Sequence, residues 1–388
     1  MAKPLLQADV VIVGGGLFGC AIAYHVASFG REALVLDRGD IGGEASGANS
    51  GNLHLQLSPA THRDDDAAWM AQFARQLPFF RAAVSLWRRL AVQLPGDLEL
   101  RLTGGLMVAE TDQQMRALQT KIALEHANGL DVELLGSAEL RELAPYLGEG
   151  FLGAAFCETE GMANSLAAVS AFVDAARHGG AQFFAGTAVN RLAPTANGWH
   201  VETERSAIRC RALIIAAGCW SDALAAMADV TLPLSQRPIH VSVTEASAPL
   251  ISHLCYHTNL RLTLKQVGNG NVVIGGGWSA ALDAQLDRPV VLRESLARSL
   301  WVAQRVVPAI GPLHLIRSWA GRNVYTPDGW PILGPVPGRP GLHLAVCNTY
   351  GFTLGPLCAL LVAESVSERS ASFDLQPFSV ERFGGSVR

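Results

Sequence analysis

The chain has 388 residues, 49% hydrophobic and 16% charged, with a formal net charge of -4. That length exceeds one comfortable core and predicts two domains, and the balance is that of a globular enzyme without a disordered tail. No block of like charge points to nucleic acid, and no run reaches the ~18 apolar residues of a membrane span.

Only seven residues precede the first strand segment, which begins at Ala8, so neither a signal nor a transit peptide is expected and the predicted location is the cytoplasm. The seven cysteines, Cys20, Cys157, Cys210, Cys219, Cys255, Cys347 and Cys358, are scattered and include no CxxC pair. They read as small buried thiols, not as a disulfide framework or as zinc or iron-sulfur ligands.

Val10 to Val13 is a continuous apolar run that ends in Gly14, Gly15, Gly16 and Gly19. A parallel strand buried on both faces has this composition, and the glycines give a tight turn, a close approach for pyrophosphate and close helix packing. The phosphate would sit on the positive end of the helix Leu17 to Phe29. A second apolar strand, Ala33 to Leu36, ends in Asp37, where an acid meets a ribose hydroxyl in dinucleotide folds. The loop of residues 38–52 is rich in Gly and Ser and beside Asp37, so its backbone N–H groups can wrap a flat polar ligand.

Asn52, His54 and Gln56 alternate with Leu53, Leu55 and Leu57, the period of a strand with one polar face. His54 is either a hydrogen-bonded structural histidine or a group turned toward the reacting molecule. Asp64 to Leu94 reads as helix, with acids in the first turn and a break or restart at Pro78. Trp69, Phe73, Leu77, Phe80, Leu86, Trp87 and Leu90 are expected core residues of that segment. A strand at Leu102 to Val108 and a helix at Gln113 to Asn128 complete an inserted layer over 81–144.

Beyond Pro145, a helix at Ser165 to Gly179 precedes a strand at Ala181 to Val189 and a strand pair around Gly198. Leu213 to Ala217 is another buried strand, and it runs into Gly218 and Trp220. Leu232 to Trp278 is β-rich. There Arg261, Thr263 and Lys265 share one strand face, either a solvated edge or a cationic site for a carboxylate. Arg293 to Val307 reads as helix. The strand Leu344 to Cys347 leads into a helix ending at Glu364, whose N-terminus near Gly351 to Thr353 offers partial positive charge.

VVIVGGGLFG, GGEASGANSGN, AAGCWSD, SWAGRNVYTPDGWPILG and YGFTLGP together resemble the D-amino-acid oxidase superfamily of FAD enzymes over nearly the full length. Within it the chain is similar to glycine and sarcosine oxidases, including the sarcosine oxidase β subunit, and to D-amino-acid dehydrogenase. SGANSGNLHLQ, LTLKQ and IGGGW tilt the likeness to the flavin-bearing catalytic subunits of opine and D-hydroxyproline dehydrogenases.

The resemblance implies an α/β fold, a Rossmann-like FAD-binding domain of glutathione-reductase type interleaved with a β-rich α+β substrate domain. The division expected is 1–80, 145–225 and 310–388 for the first, 81–144 and 226–309 for the second. It implies non-covalent FAD at Gly14, Gly16, Leu17, Phe18, Gly19, Asp37, Arg38, Ser46, Gly47, Asn49, Ser50, Gly51 and Asn52. Val189, Ala217, Gly218, Trp220, Tyr350, Gly351, Phe352 and Thr353 complete that set.

The implied chemistry is hydride transfer from the carbon beside the nitrogen of an amino acid or secondary amine acid to the flavin N5, giving an imine. The alternatives are an FAD dehydrogenase of a 2-hydroxy acid and a non-catalytic, flavin-bearing scaffold subunit. His54, Arg261, Lys265, Arg322 and Tyr350 are the implied catalytic candidates, with no metal. Two positions depart from the family pattern. The carboxylate-binding arginine expected at Asn323 stands one residue earlier, at Arg322, which in a strand turns it to the other face. This favours Arg261 or Lys265 as the carboxylate partner. Tyr350 replaces a histidine of the family's turn. The likeness also implies partner subunits carrying iron-sulfur or further flavin centres.

Overall fold

The computed structural model describes residues 5–57 and 67–384. Asp64 to Asp66, the expected acidic helix start, lie outside the described residues, as does the Trp69 side chain.

The first half of the chain supplies β1 (Leu5–Val13), α1 (Leu17–Ser28), β2 (Ala33–Leu36), α2 (Ala45–Ala48) and β3 (Asn52–Leu53). It continues with α3 (Ala67–Ala74), α4 (Leu77–Gln93), β4 (Gly105–Ala109), α5 (Asp112–Ala127), β5 (Glu133–Gly136) and α6 (Ser137–Leu143). Pro78 lies in the first turn of α4, where its missing N–H costs no helical hydrogen bond. Next come β6 (Gly153–Cys157), β7 (Gly161–Met162), α7 (Ser165–His178) and β8 (Gln182–Phe184).

A meander of β9 (Val189–Thr195), β10 (Gly198–Thr203) and β11 (Ala207–Ile215) is followed by the short α8 (Ser221–Ala226). Then follow β12 (Ser235–Ala246), β13 (Leu254–His257), β14 (Thr263–Gln266), β15 (Asn271–Gly275), β16 (Ala281–Asp283) and β17 (Arg288–Val290). The chain closes with α9 (Arg293–Val306), β18 (Leu315–Tyr325), β19 (Ile332–Pro335), β20 (Leu342–Val346) and α10 (Gly351–Val366).

Two sheets of eight strands carry the architecture. The first runs β19-β20-β11-β1-β2-β8, with β10 and β9 joined through β11. β1 pairs in parallel with β2 and β11, β2 with β8 and β11 with β20, as the unbroken apolar runs require. One face packs on α1, α7 and α10; the other packs against Leu192, Trp199 and Val201 of the meander. Both faces are therefore dry, and a ligand can approach this sheet only at the strand ends.

The second sheet runs β18-β12-β15-β14-β13-β4-β6-β5. Leu264, Val272, Ile274 and Cys255 on its outer face pack against Val302, Ala303 and Val306 of α9. Its inner face looks toward the ends of the first sheet. β6 and β18 pair in this second sheet, although the expected division placed 145–225 and 310–388 with the first. β14 lies inside the sheet between β13 and β15, which excludes the solvated-edge reading of Lys265; Arg261 lies in the connection before β14 and is exposed. An interior strand position was not readable locally, because β4, which flanks β13, comes from far away in sequence.

Candidate active site

A cavity of about 1160 Å³ lies between the two layers, reaching from Asp37 and Arg38 at one end to Tyr256 and Arg237 at the other. It exceeds the roughly 300–1,000 Å³ of ordinary ligand pockets, enough for a long cofactor and a small substrate together.

The Asp37 end is built from backbone. Gly14 has φ +116°, and a Cβ there would fall on the Ala216 carbonyl; a Cβ on Gly19 would fall on the Gly14 carbonyl. Both positions demand glycine, so the strand–turn–helix can close only with this sequence. Asp37 accepts from the N–H of Gly15 at 2.7 Å and of Gly39 at 2.8 Å, which fixes its carboxylate beside the turn. Ser46 Oγ accepts from the N–H of Leu17 at 2.8 Å, joining the 42–52 loop to the start of α1. Within that loop Asn49 Oδ1 accepts from the N–H of Gly51 at 2.8 Å, and Trp319 Nε1 donates to the Ala48 carbonyl at 2.8 Å.

Leu17, Phe18, Arg38, Ser50, Asn52, Val189, Ala217 and Gly218 lie along the cavity wall, as do Ser46, Asn49, Gly51 and Trp220. Gly47 packs instead at the Gly42 carbonyl, where a Cβ would stand 2.7 Å away. The Arg38 guanidinium lies over the Trp220 ring at 3.9 Å.

At the centre, α10 points its first turn into the cavity. Tyr350, Gly351, Phe352 and Thr353 line it, the first turn carries no acid, and no side chain caps the terminus. Free N–H groups and the helix dipole together make this a place for developing negative charge. Thr353 Oγ1 donates to the Asn52 carbonyl at 3.2 Å and accepts from the His54 N–H at 3.1 Å. The regular ladder at this segment spans only Asn52 and Leu53, so the expected longer strand is held instead by side chains. Glu160, fully buried, accepts from the N–H of Leu55 at 2.6 Å, of Gln56 at 2.7 Å, and from Gln56 Nε2 at 2.9 Å. Burial raises the Glu160 pKa, and those hydrogen bonds oppose the rise. Gln56 thereby turns to Glu160 and to Lys121 Nζ, 2.9 Å from its Oε1.

His54 remains turned to the cavity, its Nδ1 2.9 Å from the Tyr256 hydroxyl and its ring edge-on to Tyr350 at 6.0 Å. Tyr350 in turn packs on Phe73 and Phe80. Burial, with a smaller contribution from Lys265, lowers the His54 pKa to about 3, so its imidazole is neutral at physiological pH. Lys265 is 1% exposed and its Nζ has no hydrogen-bond partner in the described residues. A Cβ on Gly51 would lie 3.6 Å from that nitrogen, and burial lowers the Lys265 pKa to about 7. A buried donor left unpaired under a glycine of the cofactor loop fits an electron-rich group bound above it. The glycine cradle and this orphan nitrogen together match a flavin dinucleotide.

The far wall is the inner face of the second sheet. Arg261 Nη1 donates to the Gly277 carbonyl at 2.7 Å, and its own carbonyl accepts from Trp278 Nε1 at 3.0 Å. Arg322 is 6% exposed, ion-paired to Asp287 at 2.8 Å and 5.2 Å from the Trp220 ring. Its partner is thus the β16–β17 turn. Three residues were not singled out from sequence: Arg237 and Tyr256 on the cavity wall, and the buried Glu160 behind it. Each acts through a strand neighbour or a distant segment, and no local motif marks them.

Residues 9–365 match the family described as DAO, FAD dependent oxidoreductase. The chain is 30% identical over 386 residues to an opine oxidase subunit of Rhizobium meliloti, covering 98% of each chain. It is 25% identical over 391 residues to the beta subunit of sarcosine oxidase from Arthrobacter sp, covering 98% of this chain and 92% of that one. The crystal structure of glycine oxidase from Geobacillus kaustophilus superposes with a TM-score of 0.84 at 26% identity, covering 97% of this chain and 99% of the other.

Proposed function

The chain belongs to the DAO family of FAD dependent oxidoreductases, and from that premise we propose that it oxidises the C–N bond of an amino acid or secondary amine acid. FAD, when bound, supplies the acceptor for the hydride that leaves the carbon beside nitrogen.

The observation that carries this reading is His54, a histidine kept neutral on the cavity wall with its Nδ1 fixed at 2.9 Å from the Tyr256 hydroxyl. Glu160 lies beside that hydroxyl as an acceptor. If Tyr256 donates to Glu160, His54 donates Nδ1–H to Tyr256 and its Nε2 lone pair faces the cavity. That lone pair accepts a hydrogen bond from the substrate N–H and orients the amine, which reacts in its neutral form with its own lone pair free to form the C=N bond as hydride departs. The unblocked N-terminus of α10, beside His54, supplies positive potential. Loss of hydride from the neutral amine leaves an iminium ion, which gives up a proton to water as the imine and is hydrolysed to a keto acid and an amine.

The glycines of the turn, Asp37, the 42–52 loop and Thr353 are the groups proposed to hold the cofactor. Two relatives are named as subunits, one of opine oxidase and one of sarcosine oxidase, and they support a second element of the proposal. The chain acts as the catalytic member of a hetero-oligomer whose partners pass electrons on.

The test is anaerobic mixing of the holoprotein with a panel of amino acids, secondary amine acids and 2-hydroxy acids, followed at the flavin absorbance. Bleaching by amine acids alone is expected. Bleaching by hydroxy acids alone would overturn the reading.

A further inference from the structure

The His54 ring ends a buried chain of hydrogen bonds whose direction is set by groups that cannot reverse. At the far end Lys121, 3% exposed, donates from Nζ to Glu125 Oε2 at 2.8 Å and to Gln56 Oε1 at 2.9 Å. An ammonium only donates, so the Gln56 atom that faces it is the oxygen. On the other side of the same amide, Nε2 lies 3.0 Å from the Gly105 carbonyl, which only accepts. The Gln56 amide is thus fixed from both sides, and its NH2 is held toward Glu160 Oε2, 2.9 Å away.

Glu160 therefore meets three donors that no proton shift can turn round: the N–H groups of Leu55 and Gln56 at Oε1, and the Gln56 NH2 at Oε2. The Tyr256 hydroxyl is a fourth partner, and of the four it alone can either donate or accept. Two arrangements of the chain are open. With Glu160 ionised, Tyr256 donates to it, the Tyr256 oxygen accepts from His54 Nδ1–H across 2.9 Å, and His54 Nε2 keeps its lone pair. With Glu160 protonated, only the Tyr256 oxygen can take its hydrogen. Tyr256 then donates to His54 Nδ1, and the ring hydrogen moves to Nε2. Three fixed donors favour the ionised form against the burial that opposes it, and so select the first arrangement. His54 Nε2 has no hydrogen-bond partner among the described residues, so nothing at that end of the ring overrides the choice.

We propose that Glu160 is a positioning residue: through the Tyr256 hydroxyl it fixes the Nδ1–H tautomer of His54, and so makes this part of the cavity wall a hydrogen-bond acceptor that selects ligands presenting an N–H. The proposal rests on the amine-acid reading above, in which His54 receives the substrate N–H, and adds what sets the polarity of that contact. Glu160 never touches the ligand, and Lys121 acts only by holding the amide of Gln56. A ligand that offers a lone pair instead of a hydrogen at this point meets the lone pair of Nε2 and leaves it unpaired.

Two readouts test the proposal on the holoprotein. The first is the tautomer itself, read from a proton–nitrogen correlation spectrum after isotope labelling of the histidines, with the His54 signals identified by their loss in His54→Ala. A protonated Nδ1 and a bare Nε2 are expected. Glu160→Gln should exchange the two, because its NH2 makes the Tyr256 oxygen accept and sends the phenolic hydrogen to Nδ1. The second readout is binding of pyrrole-2-carboxylate and furan-2-carboxylate, rings of similar shape that place an N–H or an oxygen lone pair beside the carboxylate, followed by perturbation of the flavin spectrum. The pyrrole is expected to bind about tenfold tighter, the worth of one hydrogen bond set against an unpaired acceptor, and Glu160→Gln should abolish or reverse that preference. Tyr256→Phe cuts the link, so adding Glu160→Gln to it should move neither readout further. A bare Nδ1 with a protonated Nε2 in the unaltered protein would overturn the proposal without need of a variant. So would readouts unmoved by Glu160→Gln, or an effect of Glu160→Gln that persists in the Tyr256→Phe background. The expected tautomer, dependent on Glu160, in a protein whose flavin no amine acid bleaches would instead sink the C–N oxidation reading and leave the positioning role standing. Bleaching by amine acids with Nε2 protonated would do the reverse.

Discussion

The two ends of the cavity are built on opposite principles. At the Asp37 end recognition is made by backbone: Gly14 and Gly19 exclude any side chain, and Asp37, Ser46 and Asn49 each hold a main-chain N–H. At the sheet end it is made by side chains, Arg237, Arg261, Tyr256 and His54, brought together from β12, the approach to β14, β13 and the segment after β3. The first can change little without losing the cofactor. The second can exchange one residue at a time and so carries specificity.

Variants that damage each end should separate. Gly14→Val places a branched side chain at φ +116° against the Ala216 carbonyl and should abolish cofactor retention, to less than about a tenth of the normal flavin-to-protein absorbance ratio. If Gly14→Val kept its flavin, the backbone account of that end would be broken. His54→Ala should retain flavin and slow its anaerobic reduction by substrate about tenfold, the worth of one hydrogen bond that positions the substrate nitrogen. Unchanged reduction kinetics would remove His54 from the chemistry.

Glu160→Gln keeps the shape but sets an amide against the N–H groups of Leu55 and Gln56, and should cost about 2 kcal/mol in urea unfolding. An unchanged midpoint would show that the His54 segment is held otherwise. Lys265→Met probes the ground beneath the site. The Lys265 pKa is lowered to about 7 in the folded protein, so between that pH and its ordinary value near 10 the unfolded chain binds the extra proton and stability rises with pH. In flavin-stripped protein the stability of the native chain relative to Lys265→Met should therefore rise over this window, by at most about 1.4 kcal/mol per pH unit. Parallel pH profiles would mean that the ammonium is not buried unpaired.

The same contrast explains what was legible in the sequence. Val10 to Gly19 and Asp37 form one contiguous unit whose steric demands are visible as glycines, and the structure places all of them at one turn. His54 was visible through the alternation at 52–57, although Glu160 and Thr353, not a long strand, hold that segment. Arg261 and Lys265 were seen on one face, but Lys265 is buried in a strand flanked by β13 and β15, a tertiary fact, whereas Arg261 precedes that strand and is exposed. Arg322 was recognised as displaced; its true partner, Asp287, comes from a hairpin with no motif of its own. Arg237 escaped notice because its place on the cavity wall depends on a ladder pairing with Asn323, far along the chain. Neighbouring residues give no sign of such a pairing.

Thr353 has a consequence for the order in which the protein is made. The glycine turn and Asp37 are translated well before the threonine that ties down Asn52 and His54, which lies at the start of α10. The Trp319 bond to Ala48 is likewise a late arrival. Until α10 has emerged, the cavity lacks the wall that Tyr350 to Thr353 supply. A product truncated before Thr353 would retain the glycine turn but lose the hydrogen bonds that hold Asn52 and His54 in place.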